Sequence, residues 1–129
     1  MSGSAAVEAG GPACAERADD LAHLVYRITW KFMHSDPTLA QRMRAAAITL
    51  AACLRARDRG VAAGWLASQA AVALGELECC AHLGRRIGVL GETDRRRMDA
   101  LREEVSQAVA REVGEAAAAA VPHPKGGGR

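Results

Sequence analysis

A chain of 129 residues, half of them apolar but only four aromatic, can close a single core and no more. Its net charge of +2 gives no strong overall pull towards nucleic acid or membrane. No apolar run approaches the roughly eighteen residues that a bilayer span requires, which excludes a helical membrane protein.

Residues 1–12, small and glycine-rich, read as a disordered leader. They lack a basic start followed by an apolar run, so no secretory signal is read there. The four cysteines (Cys14, Cys53, Cys79 and Cys80) show no CxxC spacing, and reduced thiols in a cytoplasm are the expectation. Much of the apolar content is alanine, so helices must approach closely and a lone subunit is expected to be marginally stable. Arginine outnumbers lysine 15 to 2, a skew that a GC-rich genome explains as readily as a function does.

The first helix carries Cys14, Ala18, Leu21, Val25, Ile28 and Phe32 at spacings of four and three, a narrow apolar stripe. It stops at "HSDP", where Asp36 is a good N-cap and Pro37 a good first residue for the next helix. The second helix continues the pattern with Leu39, Met43, Ala46, Leu50 and Cys53, and ends in "RARDRG" at Gly60. The third has the longest register: Leu66, Ala70, Ala73, Leu77, Cys80, Gly84 and Ile87. Gly88 reads as its C-cap and Gly91 as turn material. Thr93 is expected to cap the fourth helix, whose seam is Met98, Leu101, Val105 and Ala108.

No strand is expected. Short connections favour antiparallel neighbours, so the fold class is all-α, an up-down-up-down four-helix bundle over residues 13–115. A disordered tail is expected over 116–129, with the alanines of "GEAAAAAV" able to extend the last helix.

Catalytic and metal chemistry find little support. Cys80 lies on the third helix's seam, while His82 falls about 200° further round, so the two cannot share a metal from one helix. Glu78 and His82 are four apart with no second pair, short of the Glu-x-x-His pairs of a di-iron centre, and a surface contact between them is the simpler account. "GRRIGVLGE" follows no strand and lacks a phosphate-loop lysine. Glu103 and Glu104 read as a solvated face. The expectation is a protein with no enzyme activity, metal or cofactor.

Apolar residues outside the seams carry more. Trp65, Val72 and Cys79 repeat every seven residues beside the core stripe, and Trp30, with Met33 nearby, falls opposite the first helix's seam. These five are the candidate oligomer contacts. Charge is also uneven. With antiparallel helices, residues 27–44 and 82–99 share one pole. Its nine basic residues (Arg27, Lys31, Arg42, Arg44, Arg85, Arg86, Arg95, Arg96 and Arg97) face four acids (Asp36, Glu92, Asp94 and Asp99), leaving +5. The opposite pole has six arginines against ten acids, leaving −4. Arg42, Arg44, Arg85, Arg86 and Arg95–Arg97 are the candidate contacts to RNA or DNA. Arg85 and Arg86 also suit a helix C-terminus, whereas Arg95–Arg97 gain nothing from the dipole at a helix start.

Between about Asp19 and Val113 the chain resembles the four-helix 23S ribosomal RNA intervening-sequence proteins and the related accessory variability proteins of diversity-generating retroelements. "ALGELECCAHLGRRIGVL" parallels the family's Ser-Leu-x-Glu-Leu-Glu helix and its Leu-Gly-Tyr-Leu turn. "RMRAAAITLAACL" parallels Gln-Ile-Arg-Arg-Ala-Ala-x-Ser-Ile through Arg44, Ala46, Ala47 and Leu50. The chain departs from the pattern at "CLRARDRG", which replaces Asn-Ile-Ala-Glu-Gly, at Val89 in place of tyrosine, and at Ala45 in place of the second arginine. The resemblance implies a ring-shaped pentamer. It permits nucleic-acid binding and a role as an accessory subunit to a reverse transcriptase. The function expected is binding of RNA or DNA through the basic pole without reading bases. The alternative is a protein–protein interaction scaffold whose arginines only solubilise it.

Overall fold

The structure, a computed structural model, describes residues 12–120. Among them are four helices and no strand: α1, Pro12–Trp30; α2, Pro37–Asp58; α3, Ala63–Ile87; and α4, Glu92–Ala120. The expected leader, apart from Pro12, and the tail from residue 121 lie outside the described residues; the alanine run 116–120 continues α4. None of these helices is long and apolar enough to cross a membrane.

Packing follows the stripes. α1 and α3 each lie against both α2 and α4, around one shared core. Every stripe residue of the first two helices is buried, from Cys14 to Phe32 and from Leu39 to Cys53. Nine of the buried side chains are alanines (15, 18, 40, 46, 47, 67, 70, 73 and 81). Each removes little more than a methyl group from water, about 0.8 kcal/mol per CH2-sized group, against about 1.5–3 kcal/mol for a buried leucine. Leu21, Leu50, Leu54 and Leu77, fully buried between the small residues, therefore carry a large share of core stability.

Helix ends explain where the sequence pattern fails. α1 ends at Trp30, and a turn over residues 31–35 follows. The Lys31 and Phe32 amides bond three residues back, to Ile28 (3.1 Å) and Thr29 (3.0 Å), tightening the chain so that Phe32 still reaches the core. Asp36 caps α2 as expected, its Oδ1 accepting from the Leu39 amide at 3.0 Å, with Pro37 in the first turn. Gly88 closes α3 in the left-handed region, φ +87°.

Two expectations about this turn are corrected. Ile87, placed on the seam, is 50% exposed. Left-handed Gly88 folds the chain back so that Leu90 covers Gly84, where an added Cβ would sit 3.2 Å from Leu90 Cβ. Leu90 thus occupies the core end of α3 that Ile87 was expected to fill. Nor does Thr93 cap α4: the helix already begins at Glu92, and the Gly91 carbonyl accepts from the Arg95 amide at 3.0 Å. Glu92 and Asp94 supply negative charge at this N-terminus. Along α4 the buried row is Met98, Val105 and Val109, with Leu101 and Ala108 half-buried at its edge.

Candidate nucleic-acid interface

The α3–α4 turn brings two arginine clusters together. Glu92 sits between them: one carboxylate oxygen accepts from Arg85 Nη2 at 2.8 Å and the other from Arg96 Nε at 3.0 Å. Arg85 also approaches the Leu90 carbonyl. Arg95 turns along α4 to Asp99 at 3.0 Å. From the turn after α1, Lys31 donates to Asp94 at 2.7 Å, joining the end of that helix to the start of α4. At the start of α2, Leu39 lies under Gly84, so this helix reaches the same region.

Apart from Arg44, the expected arginines divide into two kinds. Arg85, Arg95 and Arg96 are ion-paired within the subunit, and Arg42 pairs with Glu76 of α3 at 2.8 Å. Arg86 and Arg97 are exposed and have no acidic partner among the described residues; Arg27 is a third of this kind. Exposed pairs are worth only about 0–1 kcal/mol, so a phosphate can displace a carboxylate from a paired arginine at little cost. Unpaired arginines need no displacement at all. Sequence alone did not separate Arg86 from Arg85, because the acid that distinguishes them lies across a turn.

Arg44, also expected at the nucleic acid, is held within the subunit. Its Nε donates to Thr29 Oγ1 (2.7 Å), its Nη2 to the Tyr26 carbonyl (3.1 Å), and its guanidinium lies 4.2 Å from the Tyr26 ring centroid. Thr29 is fully buried and donates in turn to the Val25 carbonyl at 2.7 Å. Arg44 therefore ties α2 to α1 through Nε and Nη2.

The five expected contact residues fall in two places. Trp65, Val72 and Cys79 form an exposed row on α3, with Trp65 63% and Val72 67% accessible. At 100° per residue exposed Leu83 shares this face, exposed Arg86 continues its seven-residue repeat, and exposed Ile87 lies at its edge. Glu76 lies beside it and is held by Arg42. Trp30, 74% exposed, and half-buried Met33 are on α1 and its following turn, a helix that does not share a major packing face with α3. Trp30 borders an open groove with Arg27, Lys31 and Arg97. The sequence pattern points to neither as an exposed apolar residue, since Leu83 lies on no seam and Ile87 is assigned to one.

The cysteines do not converge. Cys14, Cys53 and Cys80 are buried and Cys79 is exposed. Burial pushes the Cys53 thiol up, and burial, reinforced by Glu76 and Cys79, pushes the Cys80 thiol up, so both are poorer nucleophiles than a free cysteine. Among the described residues no group of three or more His, Cys, Asp and Glu side chains is placed to hold a metal ion. Glu78, expected to contact His82, instead pairs across to Arg102 of α4 at 3.6 Å. No protein-family model matches this chain, and neither does any curated protein or solved structure.

Proposed function

We propose that the chain is a non-catalytic, oligomeric bundle that binds RNA or DNA through its basic pole, without reading base sequence. The observation that carries this reading is the clustering of Arg85, Arg86, Arg95, Arg96 and Arg97 about one turn, with Arg86 and Arg97 free of acidic partners among the described residues. Guanidinium groups without a carboxylate are ready phosphate ligands, and contacts to phosphate carry no sequence information. An up-down-up-down order of helices belongs to the same reading. It is supported by Lys31, just after α1, meeting Asp94 near the start of α4, and by Arg55 near the end of α2 meeting Asp19 in the first half of α1.

Assembly is assigned to the α3 row. A row of Trp65, Val72, Cys79, Leu83 and Ile87 leaves a length of apolar surface in water that a second subunit would cover. A ring, as the 23S intervening-sequence resemblance implies, would set several basic poles side by side and multiply their affinity for one polyanion. An accessory role beside a reverse transcriptase is the partner that this resemblance permits, and a cytoplasmic location goes with it. The test is a binding titration of the full chain against RNA and DNA, repeated with Arg86→Glu/Arg97→Glu. Weakening by about tenfold or more for both polymers, with molecular mass unchanged, is expected. Unchanged affinity would remove the basic pole from the account.

One observation favours a second reading, that of an interaction scaffold. The α3 row is mainly apolar and lies apart from Trp30 and Met33, as a surface for another protein would be. That reading predicts no association with nucleic acid at physiological salt.

A further inference from the structure

We infer that Trp30 is a stacking platform for an unpaired base, and that the pole is built for single-stranded rather than duplex nucleic acid. The inference rests on the nucleic-acid reading above and specifies its ligand. Trp30 closes α1 with its indole 74% exposed, the most accessible of the exposed large apolar side chains among the described residues. It borders an open groove of about 310 Å3 whose other walls are Leu24, Arg27, Ile28, Lys31, Asp94 and Arg97. That volume lies at the lower end of the roughly 300–1,000 Å3 typical of small-ligand clefts, a scale suited to one base and its sugar.

The cations are arranged for a polyanion. Arg27 stands one turn before Trp30, and Arg97 faces the groove from α4; neither has an acidic partner among the described residues. Lys31 is anchored by Asp94, whose side chain is only 13% exposed. Three cations against one acid leave the groove positive. Alternation of a flat aromatic face with cations is what a single strand needs: stacking holds the base and guanidinium groups hold the flanking phosphates. A base inside a duplex has both faces covered by its neighbours and cannot use the indole.

A second copy of this chain fits the groove less well. Interface cores are depleted of charge, and a two-fold contact through this patch would set one positive patch against another. The mainly apolar face on α3, where Glu76 is already paired with Arg42, suits that role better.

Trp30 and Trp65 are the chain's two tryptophans, so Trp65→Phe leaves Trp30 as its sole indole reporter. Full-length protein carrying Trp65→Phe is titrated at low salt with oligo(dT) and with a duplex of equal length, while light scattering follows its mass. Quenching of Trp30 by oligo(dT) and not by duplex is expected. In the parent sequence, Trp30→Ala should weaken oligo(dT) binding by about 5- to 150-fold and duplex binding little, at unchanged mass, with Trp30→Phe retaining most of the affinity. Oligo(dT) binding with an unquenched Trp30 and an indifferent Trp30→Ala would overturn the inference and leave the basic pole standing. A fall in mass on Trp30→Ala without quenching would assign Trp30 to a subunit contact and overturn it too. No binding of either polymer by the parent chain would sink the nucleic-acid reading itself.

Discussion

Trp30 and Trp65 are both exposed indoles, yet they stand in different surroundings. Trp30 shares a groove with Arg27, Lys31 and Arg97, whereas Trp65 begins a row continued by Val72, Cys79, Leu83 and Ile87. Exposure alone would class them together as surface hydrophobes. Their neighbours separate them, because a charged rim resists burial against protein while a mainly apolar row resists water. The comparison teaches that the proposed binding and assembly surfaces lie on different helices, so that on this reading one can be damaged without the other.

The largest effect should come from the α3 row. Val72→Asp places a carboxylate in the middle of the assigned interface, at a cost of about 3–5 kcal/mol if the charge is buried unpaired. Sedimentation or light scattering should then report the single subunit, with helix content by circular dichroism retained because Val72 is exposed within the subunit. An assembly of unaltered mass would break the assignment of this face.

The next effect concerns the turn between α3 and α4. Gly88→Ala forces a β-carbon into the left-handed region, costing about 1–2 kcal/mol and lowering the unfolding midpoint. The exposed residue meets nothing within 4 Å, so the loss is one of backbone strain rather than clash. Folded Gly88→Ala protein should still bind nucleic acid, since the arginines stay in place; a midpoint equal to that of the parent would contradict the strained turn.

A smaller, sharper test uses the cysteines. At mildly alkaline pH Cys79 should react with a thiol reagent first, because it is exposed, while Cys53 and Cys80 wait for unfolding. Their folded pKa values lie above those of the unfolded chain, so burial favours the protonated folded form. That stability is fully present below the unfolded thiol pKa and declines as pH rises through the folded values. In the assembled protein Cys79 should be slower to react than in Val72→Asp. Equal rates would place Cys79 outside the interface.

Much of this architecture was legible from residue spacing. The stripes of α1 and α2, the Asp36 cap and the Gly88 stop depend on local periodicity and backbone preference, which neighbouring residues encode. Ile87 and Thr93 were misread because the return of Leu90 over Gly84 and the earlier start of α4 are products of a three-dimensional turn. The candidate site was legible as a gathering of charge and not as a set of contacts. Arg44 looks like its fellow arginines until Thr29 and Tyr26 are seen to hold it, and Arg86 looks like Arg85 until Glu92 is seen to choose between them. Arg97 joins the Trp30 groove only across the α1–α4 contact, a proximity no spacing expresses.

The most direct measurement is the salt dependence of single-strand affinity for the parent chain and for Arg86→Glu/Arg97→Glu. The account predicts a steep linear fall of log affinity with log salt, with a slope shallower by roughly one for each arginine that loses its phosphate. A parent affinity indifferent to salt, or parallel lines for parent and variant, would contradict it.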